Sequence, residues 1–185
     1  LTVIGNNTTI REYVTINKGT KASGETKVGN NVLLMAYVHL AHDVVVEDYC
    51  ILANSVQVAG HVTIGEWAIL GGAALVHQFV KIGRHAMISG GSLVRKDVPP
   101  FSKAAKEPLS YVGINSVGLR RRGFTTEKIR EIQDIYRILY QKNYNTSQAM
   151  SIIEAEMEAT PERDEILDFI RNSSRGIMKG YTGSV

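Results

Sequence analysis

Aliphatic residues return along this chain at an interval of six. From Val28 the series runs Val28, Leu34, Leu40, Val46, Leu52, Val58, Ile64, Leu70, Val76, Ile82, Ile88 and Val94 without a gap, and the same phase extends back through Ile16, Ile10 and Ile4. The fifth place of each unit is small or β-branched, as at Val32, Val38, Val44, Cys50, Val56, Val62, Ala68, Ala74, Val80, Ala86, Ser92 and Val98. Neither the 3.6-residue period of a helix nor the period of two of a plain strand gives this spacing. A short strand followed by a tight corner does. Such units wind into a solenoid of parallel strands, with the aliphatic residue pointing inward. One stretch, Asn17 to Lys27, keeps the count but puts Ala22 at an aliphatic place and is rich in Gly, Lys, Ser and Thr. It reads as a loop thrown out from a corner, either a solvated excursion or a cover for a substrate.

The pattern changes near residue 97. Pro99 and Pro100 cannot continue a central strand, so the solenoid is expected to end there. Beyond them the spacing turns helical. Thr125 or Thr126 can cap a helix that carries Ile129, Ile132, Ile135, Tyr136 and Leu139 on one face. A second helix is expected over about Thr146 to Glu158. A third starts at Thr160-Pro161 and carries Ile166, Leu167, Phe169 and Ile170. The expected organisation is mainly β: a repeat domain over 1–100, a connecting segment over 101–123 with the basic stretch "GLRRRGF" (118–124), and a small helical C-terminal domain over 124–185.

Composition narrows this picture only a little. The 185 residues are 44% hydrophobic and 21% charged, which is globular and argues against disorder. No run of about 18 apolar residues exists to span a membrane. A net charge of +3 is too mild to imply nucleic acid, but it suits docking of an acidic partner. The single cysteine, Cys50, permits no intrachain disulfide and points to a reducing compartment; at a place reserved for small residues it reads as a buried, inert thiol. The chain opens on "LTVIGNN", without a Met and already inside the pattern, and reads as a fragment lacking its natural N-terminus.

The repeat resembles that of hexapeptide-repeat proteins, which implies a left-handed coil with three units per turn. Residues 18 apart then stack at about 4.8 Å, the spacing of paired strands. His42 stacks with Gly60 and Gln78; Asp43 with His61 and Phe79; Ala41 with Ala59 and His77. His42, His61 and His77 thus gather on one edge, with His39 on the coil of His42, whereas His85 falls at a different corner and is set apart. A lone histidine here would be an ordinary satisfied or surface residue. Three on one edge, with Asp43 beside His42, point to a site, because a carboxylate next to an imidazole raises its basicity and fixes its tautomer.

Two chemistries suit such an edge. Three histidines can hold zinc and leave a place for water, as in trimeric hexapeptide-repeat carbonic anhydrases. Those resemble His-x4-His plus a remote His, whereas this chain has His39-x2-His42, so no metal site is expected. Acyl transfer fits better. A sugar hydroxyl needs a base as it attacks a thioester, and the oxyanion needs a donor such as the unobstructed Gly60 N–H. A non-catalytic solenoid would show threonine ladders on a flat wall instead of a histidine edge.

"HLAHD" (39–43), "AGHV" (59–62), "GGAALVHQF" (71–79), "KDVPP" (96–100) and "GLRRRGF" together resemble the acyl-carrier-protein–UDP-N-acetylglucosamine O-acyltransferase family of lipid A biosynthesis, over nearly the whole chain. The resemblance implies transfer of an acyl or 3-hydroxyacyl chain from acyl carrier protein to the sugar 3-hydroxyl. It implies His42 as general base, Asp43 as its orienter and Gly60 as oxyanion donor. His39, His61, His77 and Gln78 would line the cleft, Asn115, Arg121 and Arg122 would hold the nucleotide, and Met87 and Gly90 would bound the acyl chain. It further implies a homotrimer with sites between subunits, no cofactor beyond the phosphopantetheine of acyl carrier protein, and a cytoplasmic location in a Gram-negative bacterium. Asn17 stands where the family has a histidine, and Val117 where it has an acidic residue. The later N-acyltransferase of the same pathway is the near alternative; it resembles this chain less in the tail and lacks "RRRGF".

Overall fold

The computed structural model describes residues 1–181. Its first part is a coil of short strands: β1 (Thr2–Ile4), β2 (Thr9–Ile10), β3 (Thr15–Ile16), β4 (Thr26–Val28), β5 (Leu33–Leu34), β6 (His39–Leu40), β7 (Val45–Val46), β8 (Ile51–Leu52), β9 (Gln57–Val58), β10 (Thr63–Ile64), β11 (Ile69–Leu70), β12 (Leu75–Val76), β13 (Lys81–Ile82), β14 (Met87–Ile88) and β15 (Leu93–Val94). They form three parallel sheets: β1-β4-β7-β10-β13, β2-β5-β8-β11-β14 and β3-β6-β9-β12-β15. Val45 pairs with Thr63 and Thr63 with Lys81, a register of 18 residues and therefore three units per turn. Thr2 pairs with Thr26, a register of 24, so the 17–25 loop adds one extra unit to its coil.

The six-residue phase survives as the core. The twelve aliphatic places from Val28 to Val94 are at most 4% exposed, and so are all the fifth places except Ser92 at 6%. Burying each such side chain stabilises the coil by about 1.5–3 kcal/mol relative to exposure. Cys50 is one of them, fully buried, its thiol pushed up to about 12 by that burial. Each corner turns on one residue in the left-handed region, among them Asn31, Tyr37, Asp43, Tyr49, Ser55, His61, Trp67, Ala73, Phe79 and His85, with φ of 54–65°. A non-glycine residue there costs on the order of 1 kcal/mol. The stacked coils offset it: the N–H of the left-handed residue donates to the carbonyl of the coil before, as Tyr49 does to Asn30, Ser55 to Ala36, Trp67 to Asp48 and Phe79 to Gly60.

Pro99 and Pro100 end the repeat but not the sheet. Phe101 turns the corner with φ 62°, and β16 (Ser102–Ala105) pairs in parallel with β14, Met87 opposite Lys103. β17 (Ser110–Ile114) returns antiparallel to β16, and β18 (Lys179–Gly180) adds beyond it. The stretch expected only to connect therefore carries two strands and a short helix, α1 (Ser116–Arg121). α2 (Thr126–Gln141) starts at a Thr125 cap and buries Ile129, Ile132, Ile135, Tyr136 and Leu139. α3 (Thr146–Glu156) starts at a capping box of Asn145 and Gln148. α4 (Pro161–Arg171) has its Thr160 cap and first-turn proline, and buries Ile166, Leu167 and Ile170 with Phe169 only half-buried. Arg84 pairs with Glu165 at 2.6 Å and Ser173 Oγ donates to the buried Asp97 at 2.6 Å, fastening the tail to the coil. The expected helical unit ran to residue 185; residues 182–185 lie outside those described.

Candidate active site

The histidine edge is the corner between β6 and β7, repeated one coil on between β9 and β10. Asp43 and His61 occupy its left-handed positions, and the His61 N–H donates to the His42 carbonyl at 3.1 Å. Phe79 follows, stacked on His61 with ring centroids 4.7 Å apart. His42 meets His61 edge-on at 5.1 Å. Asp43 breaks the rule of the other corners. The coil before it is displaced by the 17–25 loop, so its N–H donates to the Thr26 hydroxyl at 2.8 Å instead of to a carbonyl.

The Asp43 side chain is wholly buried, yet ionised. Burial pushes its carboxyl up, but hydrogen bonds from Ser23, Thr20 and His42 outweigh that and hold it far below the usual carboxylate range. Its Oδ2 lies 2.7 Å from His42 Nδ1 and 3.7 Å from His61 Nε2. An acceptor-only carboxylate requires the proton on His42 Nδ1, which leaves the Nε2 lone pair of a half-exposed ring free to take a proton. Gly60 lies against this ring. A Cβ at position 60 would sit 2.8 Å from His42 Cε1 and 2.9 Å from Nε2, so any side chain there would displace the imidazole. Gly60 is buried, and no partner for its N–H is found among the described residues. At the equivalent place of another corner the N–H groups of Asn6, Asn30 and Glu66 each meet a side-chain oxygen within 2.9 Å. The Gly60 donor is thus available to a ligand.

His42, Asp43 and His61 also have the spacing of a metal site, with ligand atoms within 4.8 Å of one another. The carboxylate is spoken for, however. Thr20 N–H and Ser23 Oγ reach Oδ1, while Thr20 Oγ1 and His42 reach Oδ2. Four donors fill its lone-pair directions, so a cation would have to displace some of them. This donor set suits a held base.

The other expected site residues are spread over the chain. His39 lies outside the cluster, its Nδ1 2.7 Å from Thr15 Oγ1. His77 and Gln78 lie one coil beyond Gly60 and are exposed; His77 Nδ1 sits 3.1 Å from the Gln78 carbonyl, outside the His42–Asp43–His61 group. Asn115, Arg121 and Arg122 lie at α1, against the corner between β13 and β14, where Asn115 is buried, Arg121 exposed and Arg122 half-buried. Met87 is half-buried on β14, and Gly90 is exposed at the third corner, over Gly72. A single chain therefore holds the base, the basic stretch and Gly90 at three different corners.

With this geometry in hand, similarity to known proteins decides the family. An acyl-[acyl-carrier-protein]–UDP-N-acetylglucosamine O-acyltransferase of Neisseria gonorrhoeae is 43% identical over 178 residues, covering 96% of this chain and 69% of that protein. This chain belongs to the UDP-N-acetylglucosamine O-acyltransferase family. A relative of the same name from a Sulfurihydrogenibium species is 51% identical, and the match covers 94% of this chain and 65% of the relative's length. The crystal structure of a UDP-N-acetylglucosamine acyltransferase from Bacteroides fragilis has a TM-score of 0.91 and 42% identity, over 96% of this chain and 82% of that one. Residues 97–178 match the family model for domain 2 of UDP N-acetylglucosamine O-acyltransferase, and residues 25–60 that for the bacterial transferase hexapeptide.

Sequence reasoning passed over four residues that the candidate site uses or borders. Thr20, Ser23 and Thr26 hold Asp43, and the one available signal was the Ser/Thr richness of a stretch that kept the count while losing the pattern. His85 was set apart, yet its carbonyl accepts from Asn115 Nδ2 at 3.0 Å and its Nδ1 lies 3.4 Å from Arg122.

Proposed function

We propose that this chain transfers a 3-hydroxyacyl group from acyl carrier protein to the 3-hydroxyl of UDP-N-acetylglucosamine, the first step of lipid A biosynthesis. The observation that carries the reading is His42 held on the Asp43 carboxylate at 2.7 Å, with Gly60 cleared of any side chain beneath the ring. His42 Nε2 takes the hydroxyl proton as the sugar oxygen attacks the thioester carbonyl. The Gly60 N–H donates to the resulting oxyanion, and Asp43 balances the imidazolium. Collapse of the intermediate breaks the carbon–sulfur bond, and the His42 proton passes to the leaving phosphopantetheine thiolate. No cofactor beyond that carrier is required.

His61, His39, His77 and Gln78 are assigned to the cleft, Asn115, Arg121 and Arg122 to the nucleotide, and Met87 and Gly90 to the acyl chain, following the family. Their spread over three corners of one chain is reconciled by a homotrimer with sites between subunits, in which one chain's His42 corner faces a neighbour. The left-handed sense of the coil, the division into units at 1–100, 101–123 and 124–185, and a cytoplasmic setting in a Gram-negative bacterium belong to the same reading. Among the described residues no helix is long and apolar enough to cross a membrane.

The test follows transfer from 3-hydroxyacyl carrier protein to UDP-N-acetylglucosamine by the full-length protein, with His42→Ala alongside. Transfer that the substitution lowers about 10²-fold or more is the expected result for loss of a general base. Transfer to the acylated glucosamine in place of the UDP-sugar would reassign the chain to the N-acyltransferases.

A further inference from the structure

The 17–25 loop abandons the repeat, and two of its side chains, Thr20 and Ser23, return to a single carboxylate. Thr20 donates twice to Asp43, from its N–H to Oδ1 at 2.9 Å and from its hydroxyl to Oδ2 at 2.6 Å, and Ser23 Oγ reaches Oδ1. The Ser23 hydroxyl also lies 3.0 Å from the Glu25 carbonyl, but it has one proton, and an ionised acceptor takes the stronger hydrogen bond. The Thr20 hydroxyl is itself aimed, because it accepts the Ala22 N–H at 3.2 Å. The loop in turn is closed by Gly24 N–H on the Thr20 carbonyl at 2.8 Å. At the next coil the equivalent residue is His61, whose N–H takes the ordinary carbonyl partner. The extra unit thus converts one standard corner into a socket for a carboxylate.

We propose that Thr20 and Ser23 are positioning residues for the His42–Asp43 pair: their hydroxyls fix the carboxylate plane so that Oδ2 faces His42 Nδ1 and keeps the proton there. This rests on the reading of His42 as the base. A carboxylate buried without these donors would be free to rotate or to take up a proton, and either change releases the imidazole from its single tautomer. The substrate-cover reading of the loop is not needed to explain its chemistry.

The test compares Thr20→Val, Ser23→Ala and their combination with the conservative Thr20→Ser in the full-length protein. Nitrogen-15 NMR of the imidazoles reports the His42 tautomer without any substrate, and kcat and KM are measured alongside the melting temperature. The expected result is a wild-type His42 with its proton on Nδ1 and a mixture of tautomers in the double variant. With it, kcat falls about tenfold or more in the double variant while KM for the UDP-sugar moves less than about threefold, as for a group that aligns the base. Thr20→Ser restores the wild-type values. An unchanged tautomer in the double variant overturns the proposal, and so does a loss of kcat that Thr20→Ser shares. If the double variant fails to fold, Ser23→Ala, which keeps both Thr20 donors, is read by the same two criteria. A tautomer released as expected in a protein that shows no transfer at all supports the positioning role and defeats only the acyl-transfer reading.

Discussion

Two corners of the coil share one backbone and have opposite characters. His61 and His85 both sit in the left-handed turn position, with φ of 61° and 57°. His61 stands on the open corner beside a buried carboxylate, its side chain 27% exposed. His85 is 3% exposed, packed among Trp67, Phe101 and Phe124, with Arg84 and Arg122 on its ring nitrogens. Arg122 also lies over Trp67 at 4.9 Å. The fold supplies identical positions, and the neighbouring unit decides what each becomes. A polar loop gives the first corner a held carboxylate beside an imidazole, whereas α1 and its flanks close the second into an aromatic stack. The lesson is that a repeat scaffold places side chains and its interruptions tune them.

The largest effect expected from breaking this contrast concerns His85. Burial, then Arg84 and Arg122, push it down to about 3. Unfolded, it titrates near about 6.5. As pH falls from 6.5 toward 3 the unfolded chain binds a proton that the folded chain refuses, so the stability present above 6.5 is progressively lost. Between pH 6.5 and 4.5 this amounts to about 2 kcal/mol, and His85→Phe, which keeps a ring in the stack, should remove it. Urea unfolding at a series of pH values decides the matter: a variant with the wild-type slope would show that His85 is not the group responsible.

The next effect separates the two corners by their glycines. A Cβ at Gly60 meets the His42 ring, whereas one at Gly83 meets backbone, Pro100 N at 2.4 Å. Gly60→Ala should therefore lower kcat by roughly 30-fold through a misplaced base, with little change in melting temperature. Gly83→Ala should do the reverse, costing about 1–3 kcal/mol of stability through overpacking and leaving kcat per folded molecule unchanged. If Gly60→Ala lowered stability and spared kcat, the two corners would not differ as argued.

Much of this architecture is legible in residue spacing, because a coil repeats its environment every six residues and every 18. That arithmetic alone sets His61 above Asp43 and Gly60 above His42, and the backbone bonds from His61 to His42 and from Phe79 to Gly60 follow it. What escaped had no period. Thr20 and Ser23 reach Asp43 from a loop that carries no repeat. The strand character of Ser102–Ala105 comes from its partner β14 across the sheet, and no local signal outweighed the prolines before it. His85 is defined by contacts with residues 115–124, which no repeat relates to it.

The smallest effect expected falls on His39, the outward histidine of β6. Where His85 has three ring neighbours and two guanidinium groups, His39 has one recorded partner for its ring, the Thr15 hydroxyl on the strand paired with its own. That hydroxyl occupies Nδ1 and leaves Nε2 as the free ring nitrogen, and its neighbourhood is exposed, so water replaces much of the lost hydrogen bond. Thr15→Val should therefore raise KM for the UDP-sugar about threefold and leave kcat nearly unchanged, a difference of under about 1 kcal/mol. Steady-state kinetics with the acceptor varied reads this directly. A fall in kcat of about tenfold at constant KM would instead place His39 among the groups that act in the chemical step, and the open corner would then hold two working imidazoles where the closed corner holds none.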